Sequence, residues 1–170
     1  MSGNDAETPL SVGFPPVAGR DARILILGSL PSVRSLAARQ YYAHPQNAFW
    51  AIMRDIAGAD GSYAERCRAL LAARIAVWDV LRHSVRPGSM DADLRLDTSE
   101  ANDFRGFLRE HPSIEKILFN GRTAERLFRR LVLVEEQVPV PDLVSLPSTS
   151  PAYAALPVAE KLARWRRAVQ

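Results

Sequence analysis

Asn47 sits just ahead of Ala48, where the chain turns from a polar loop into an apolar helical pattern. A carboxamide in that place either caps the helix or, if it faces a pocket, holds a water molecule. The stretch that carries it, GSLPSVRSLAARQYYAHPQNAFW, runs over residues 28–50 and holds other residues with chemical potential. Gly28, Ser29, Leu30, Pro31 and Ser32 form a tight turn in which glycine lets a ligand approach the backbone and neighbouring N–H groups point at an anion. A plain structural turn has the same sequence. No Gly-Lys-Ser/Thr follows, so this is not a Walker loop, and the spacing is not that of a dinucleotide fingerprint. Tyr42 offers an aromatic face that no helical stripe explains, and stacking on a flat heterocycle is worth roughly 1–3 kcal/mol per base. His44, before Pro45, is a general base, a phosphate contact or plain polar surface. Phe49 and Trp50 open the helix and read as core, with Phe49 also a candidate wall of the pocket.

Three further groups stand outside that stretch. Asp79 ends a run made of Ile75, Val77 and Trp78, and is either at the mouth of a strand or unfavourably buried. Ser148, Thr149 and Ser150 lie between Pro147 and Pro151, where hydroxyls held by prolines suit phosphate contacts or simply make a rigid turn. Arg34, Arg39 and Arg86 fall near the same expected edge. The Lys161, Arg164, Arg166 and Arg167 run reads as a solvated helix face.

The elements that must position these residues follow from periodicity. Short apolar runs at 23–27, 74–80, 115–119 and 143–146 read as buried strands. Helical patterns cover 48–57, 62–73, 101–110, 122–131 and 158–169, with Ser62 and Glu65 spaced as a capping box. Residues 81–98 read as irregular, and residues 1–22 as a flexible arm before a single domain over 23–170. Strands alternating with helices imply an α/β fold with a parallel sheet. Ligands in such sheets bind beyond the carboxyl ends of the strands, which gathers residues 28–47, 79–83, 120–121 and 147–153 at one edge. His111-Pro112-Ser113 precedes a strand and so belongs to the opposite edge.

Composition narrows the class. The chain has 170 residues, 47% hydrophobic and 24% charged, with a formal net charge of +3. Of 22 basic residues only Lys116 and Lys161 are lysines. Arginine suits bidentate phosphate contacts, but a compositional bias would produce the same excess. Cys67 is the only cysteine, which excludes internal disulfides and argues against cysteine-ligated clusters. No run has the length of a signal-peptide core or a membrane span, so a cytoplasmic protein is expected.

The order GSLPS, YYAHPQNAFW, a strand ending in WDV, then FNG and LPSTSP resembles the uracil-DNA glycosylase superfamily. Within it the chain is most similar to the DNA-deoxyinosine (hypoxanthine-DNA) glycosylase branch, near the mismatch-specific uracil/thymine enzymes. The resemblance covers about residues 23–165. It implies a three-layer α/β/α sandwich around a four-stranded, mainly parallel sheet. It also implies a monomeric, monofunctional enzyme that flips a deaminated base from DNA and hydrolyses its N-glycosidic bond, with no metal or other cofactor. By motif position Asn47 would place the water, Tyr42 would stack on the base, and residues 28–32 would line the pocket. Asp79 would touch the base, and Ser148, Thr149 and Ser150 would grip phosphates or the gap in the duplex, with Ala152 or Tyr153 as the wedge; His44, Arg34, Arg39 and Arg86, by their place near the same mouth, are candidate DNA contacts. Many relatives place Asp or Asn two residues after the first glycine, where this chain has Leu30. The alternatives are a uracil- or thymine-mismatch enzyme and a catalytically inactive DNA-binding relative.

Overall fold

In the computed structural model, residues 8–87, 90–91, 94–134 and 139–170 are described. Four strands, β2 (Ile24–Gly28), β3 (Ile75–Asp79), β6 (Lys116–Asn120) and β7 (Asp142–Leu146), form one sheet in the order β3-β2-β6-β7. All three pairings are parallel, with Ile24 opposite both Ile75 and Lys116. β2 and β3 are buried along their whole length, which is why they read as unbroken apolar runs rather than as alternation.

Side chains still alternate between the two faces of the sheet. Ile24, Ile26, Ile75, Val77 and Leu118 pack under α2 (Phe49–Ala57), α3 (Tyr63–Ala72) and α6 (Val158–Val169), through Phe49, Ile52, Met53, Leu70 and Trp165. Leu25, Leu27, Ala76, Trp78, Ile117 and Phe119 meet α4 (Phe104–Glu110) and α5 (Arg122–Phe128), through Phe104, Phe107, Leu127 and Phe128. The fold is therefore the expected three-layer α/β/α sandwich, and its sheet is parallel throughout. Each large apolar side chain fully buried in these cores stabilises by about 2–3 kcal/mol.

Several boundaries moved for local reasons. The capping box is present: Ser62 Oγ accepts from Glu65 N at 3.2 Å, and Glu65 returns to Ser62 N. α4 starts at Phe104 rather than 101, because Asp103 caps it through Gly106 N at 2.9 Å. α5 ends at Phe128 and continues as a π-type turn over Arg129–Leu133. The long segment after β2 contains a short helix, α1 (Val33–Ala38), capped by Ser32 and closed by Arg39 at φ 54°.

Two expectations were overturned. From Leu10 onward the expected arm is part of the body. β1 (Leu10–Val12) pairs antiparallel with β4 (Leu81–Val85), Val17 bridges to Val77, and the Trp78 indole donates to Phe14 O at 3.1 Å. Gly13, Pro15 and Pro16 suggested a loose end, but Phe14 and Val17 pack against the core. Residues 1–7 lie outside the described part. Residues 81–98 are not wholly irregular either: β4 also pairs with β5 (Glu100–Ala101) in this second sheet, and Leu96–Thr98 is a 3-10 turn. The sequence LRHSV has weak strand propensity, and here tertiary pairing decides. Residues 88–89 and 92–93 of that stretch lie outside the described residues. Among the described residues no helix is long and apolar enough to cross a membrane.

Candidate active site

Because β2, β3, β6 and β7 are parallel, Gly28, Asp79, Asn120 and Leu146 all finish at one edge of the sheet. Gly28 and Asp79 are register partners. Tyr42 reaches the same point from the loop after α1. A Cβ on Gly28 would stand 2.5 Å from Asp79 Oδ1 and 3.1 Å from the Tyr42 hydroxyl oxygen, so glycine is required by space here. Gly28→Ala is expected to displace both polar groups and lower activity at least tenfold, a larger effect than any loss of melting temperature; parallel rate and melting measurements check this.

Asp79 is 4% exposed, and neither its Oδ2 nor the Tyr42 hydroxyl has a hydrogen-bond partner among the described residues. Leaving a buried polar atom unpaired costs about 1–3 kcal/mol, so two side by side mark a place built for something else to bind. Burial lifts the Asp79 carboxyl to about pKa 7; the Asp91 charge adds to this and Arg86 opposes it. Burial, with Asp79 adding, pushes the Tyr42 phenol far above its ordinary value, so the hydroxyl remains a donor. The Asn120 amide beside that phenol works the other way through a side-chain interaction, and Thr149 takes only one of its two Nδ2 hydrogens. Its Nδ2 donates to Thr149 Oγ1 and its Oδ1 accepts from Thr149 N, each at 2.9 Å.

Tyr42 has φ 54°, a left-handed backbone that a non-glycine residue adopts only under constraint. Its ring stacks on Phe49 with centroids 3.9 Å apart and planes 23° apart. One face is therefore covered, and only the other is left for a base. Phe49 itself is completely buried and backs Tyr42 rather than lining the pocket. Leu30 is likewise in the core, and Pro31 is buried with its carbonyl accepting from Arg86. Ser29 donates to Asp91 at 2.6 Å.

Asn47 is half-buried. Its Oδ1 accepts from Phe49 N at 2.9 Å, and its own N–H donates to His44 O. The cap thus fixes the amide plane while leaving one Oδ1 lone pair and both Nδ2 hydrogens without a protein partner among the described residues. Next to it, Ala48 N donates to Thr149 O at 3.0 Å, which ties the start of α2 to the Pro147–Pro151 loop.

That loop is braced from within. Ser148 Oγ accepts from Ser150 N and Ser150 Oγ accepts from Ala152 N. Thr149 is 1% exposed and locked by Asn120, so it holds the loop in place and cannot reach a phosphate. Arg86 is also corrected. It is 4% exposed and turned inward toward Pro31 and Asp79, because the buried carbonyl and carboxyl attract it there. Arg34, Arg39 and Tyr153 are exposed, and His44, Ser148 and Ser150 are half-buried. The His44 ring accepts from Gln46 N at 3.1 Å within its own turn.

Sequence reasoning missed three participants. Asn102 donates to the Asp79 carbonyl at 2.8 Å, and Asp91 faces Asp79; no local pattern announced either. Lys161 was read as part of a solvated face, yet it is 3% exposed and donates to Tyr153 O at 2.7 Å. Its place one turn before the buried Trp165 is the signal that would have found it.

Comparison with known proteins shows the family to which this fold belongs. The pattern describing the Uracil DNA glycosylase superfamily matches residues 15–168. A protein named Hypoxanthine DNA glycosylase from Methanosarcina acetivorans is 40% identical over 115 residues, spanning 66% of this chain and 72% of that one. Its namesake from Methanosarcina barkeri is 39% identical over 113 residues, 65% of this chain and 70% of that one. A solution NMR structure of a candidate uracil DNA glycosylase from M. acetivorans superposes with a TM-score of 0.73 at 33% identity, covering 94% of this chain and 98% of that one. A match over nearly the whole described chain, at these identities and with the same fold, makes this protein a member of the uracil DNA glycosylase superfamily.

Proposed function

We propose that the protein is a DNA repair glycosylase that releases hypoxanthine from deoxyinosine, with uracil as the next substrate. The observation that carries this is the pair of unpartnered buried groups, Asp79 Oδ2 and the Tyr42 hydroxyl, beside the bare Gly28. Deamination gives a base an N–H next to a C=O. A neutral carboxyl presents the complement, a donor beside an acceptor, and Tyr42 adds a second donor for the carbonyl. Adenine and cytosine present a bare ring nitrogen next to an amino group, and so leave the tyrosine donor without an acceptor. A site built around buried donors rejects a base lacking the matching group strongly.

The chemistry follows from charge. The bond between C1′ and the base nitrogen breaks with its electron pair going to the base, and the sugar gains positive character. Donors from Asp79 and Tyr42 stabilise the departing base. Asn47 orients a water whose oxygen bonds to C1′ while its proton goes to the departing base, which took the bonding electron pair, leaving an abasic sugar and free neutral base. Extruding the nucleotide costs a few kcal/mol, less where the base is mispaired. Every group invoked comes from one chain, so a monomer suffices, and no step needs a metal or cofactor. Ser148, Ser150, Arg34, Arg39 and His44 are the remaining candidates for phosphate contacts.

The test is a panel of duplexes carrying deoxyinosine, deoxyuridine, deoxyxanthosine, a G·T mismatch or only normal bases. Release is expected to be fastest from deoxyinosine, slower from deoxyuridine, and undetectable from normal pairs. Fastest release from uracil or mismatched thymine would instead make the protein a pyrimidine enzyme. Tight binding with no release from any duplex would leave an inactive DNA-binding relative.

A further inference from the structure

α6 presents two large buried side chains one turn apart to the loop at the sheet edge, Lys161 and Trp165. The Trp165 indole donates to Pro147 O at 3.0 Å, and Lys161 Nζ donates to Tyr153 O at 2.7 Å. One helix therefore grips both ends of the loop over residues 147–153. Burying a lysine is costly, and among the described residues no carboxylate forms a salt bridge with this one. Packing alone would be served as well by methionine or leucine, so a specific use for the ammonium is implied.

The use is visible at Tyr153. Its ring centroid lies 5.2 Å from Lys161 Nζ, within the range of a cation–π contact. Its N–H donates to Ser150 O at 3.0 Å, and its side chain is among the exposed large hydrophobics at 43%. An aromatic ring is thus presented to solvent from a turn that is bonded internally and anchored from below. This turn follows directly from Thr149, which is bonded to both Asn120 and Ala48. Side chains held in this way enter and prop open a base stack.

We propose that Lys161 is a positioning residue: by holding the carbonyl and the ring of Tyr153, it fixes that ring where it fills the space a flipped nucleotide leaves in the duplex. This rests on the glycosylase reading above. Its consequence is a dependence on strandedness. A single strand has no partner-filled gap to prop open, so loss of the ammonium matters only in duplex DNA.

The experiment compares release of hypoxanthine from single- and double-stranded oligonucleotides by the wild type, Lys161→Met, Lys161→Arg, Tyr153→Ala and the Met/Ala double variant. Lys161→Met is expected to slow duplex release about tenfold and leave single-strand release within about twofold. Tyr153→Ala should do the same, and the double variant should be no slower than either. Lys161→Arg should recover part of the duplex rate. A general structural defect would slow both substrates equally, and that result overturns the proposal. If Lys161→Met does not fold, Tyr153→Ala still decides, because an unchanged duplex rate in that exposed-site variant also overturns it. Wild-type release from neither substrate would instead overturn the glycosylase reading, and with it the role given to Lys161.

Discussion

Replacing Asn47 with alanine is expected to lower hypoxanthine release by about 10²–10⁴-fold and to keep duplex affinity within a factor of about three. The substitution removes the carboxamide proposed to orient the attacking water, at the start of α2 beside the Pro147–Pro151 loop. It also removes the acceptor for Phe49 N, which costs about 1 kcal/mol of stability. The two losses separate by measurement. Single-turnover release reads the first and urea melting reads the second. Asn47→Asp keeps the acceptor for Phe49 N and a second acceptor for water, so it should restore most of the stability and much of the rate. A normal rate for Asn47→Ala, with only the melting point lowered, would make Asn47 a helix cap and nothing more.

The sheet was legible because its strands are buried on both faces, and burial of that kind leaves unbroken apolar runs such as ILIL and IAVW. Helices were legible from a cap, as at Ser62, or from an apolar stripe, as over Val158–Val169. Strands β1 and β4 were not, because LSV and LRHSV owe their conformation to each other rather than to their own residues. The same division applies to the site. Gly28, Tyr42, Asn47 and Asp79 stood out as polar or special residues at strand ends and in one long loop, and the parallel topology brings their elements together. Arg86 and Thr149 misled because residue type suggested phosphate contacts, whereas their surroundings turn them inward. Lys161 misled in the same way. An isolated charge in a basic run gives no hint that a carbonyl from another loop waits beneath it.

Asp79→Asn is expected to make the protein more stable at alkaline pH and to flatten its pH–rate profile. Burial raises the folded-state pKa of Asp79 to about 7, well above the ordinary carboxyl value. Such a group adds stability fully below its unfolded value and loses it as pH rises through the folded value. Above that point the carboxylate is ionised in both states, and its burial penalty stands in full. Removing the titration should therefore raise the unfolding free energy by about 4 kcal/mol near pH 8, with the advantage fading as pH falls toward about 4. Activity moves for a related reason. In the proposed site the neutral acid would donate to the base carbonyl and accept from the adjacent N–H, whereas the ionised form could only accept. An ionised carboxylate also repels the negative charge that collects on the departing base. Wild-type release should thus fall about tenfold per pH unit above pH 7. The groups that set this midpoint are Asp91, which raises it, and Arg86, which lowers it, with Tyr42 remaining a neutral donor throughout. An asparagine carboxamide presents the same donor and acceptor as the neutral acid, so the Asn variant should keep the low-pH rate and lose the alkaline fall. Asp79→Leu, which offers neither, should be nearly inactive at every pH. Release that climbs through pH 7 in the wild type, together with an inactive Asp79→Asn, would mean that the ionised carboxylate is the working form and that the base is read by acceptors alone.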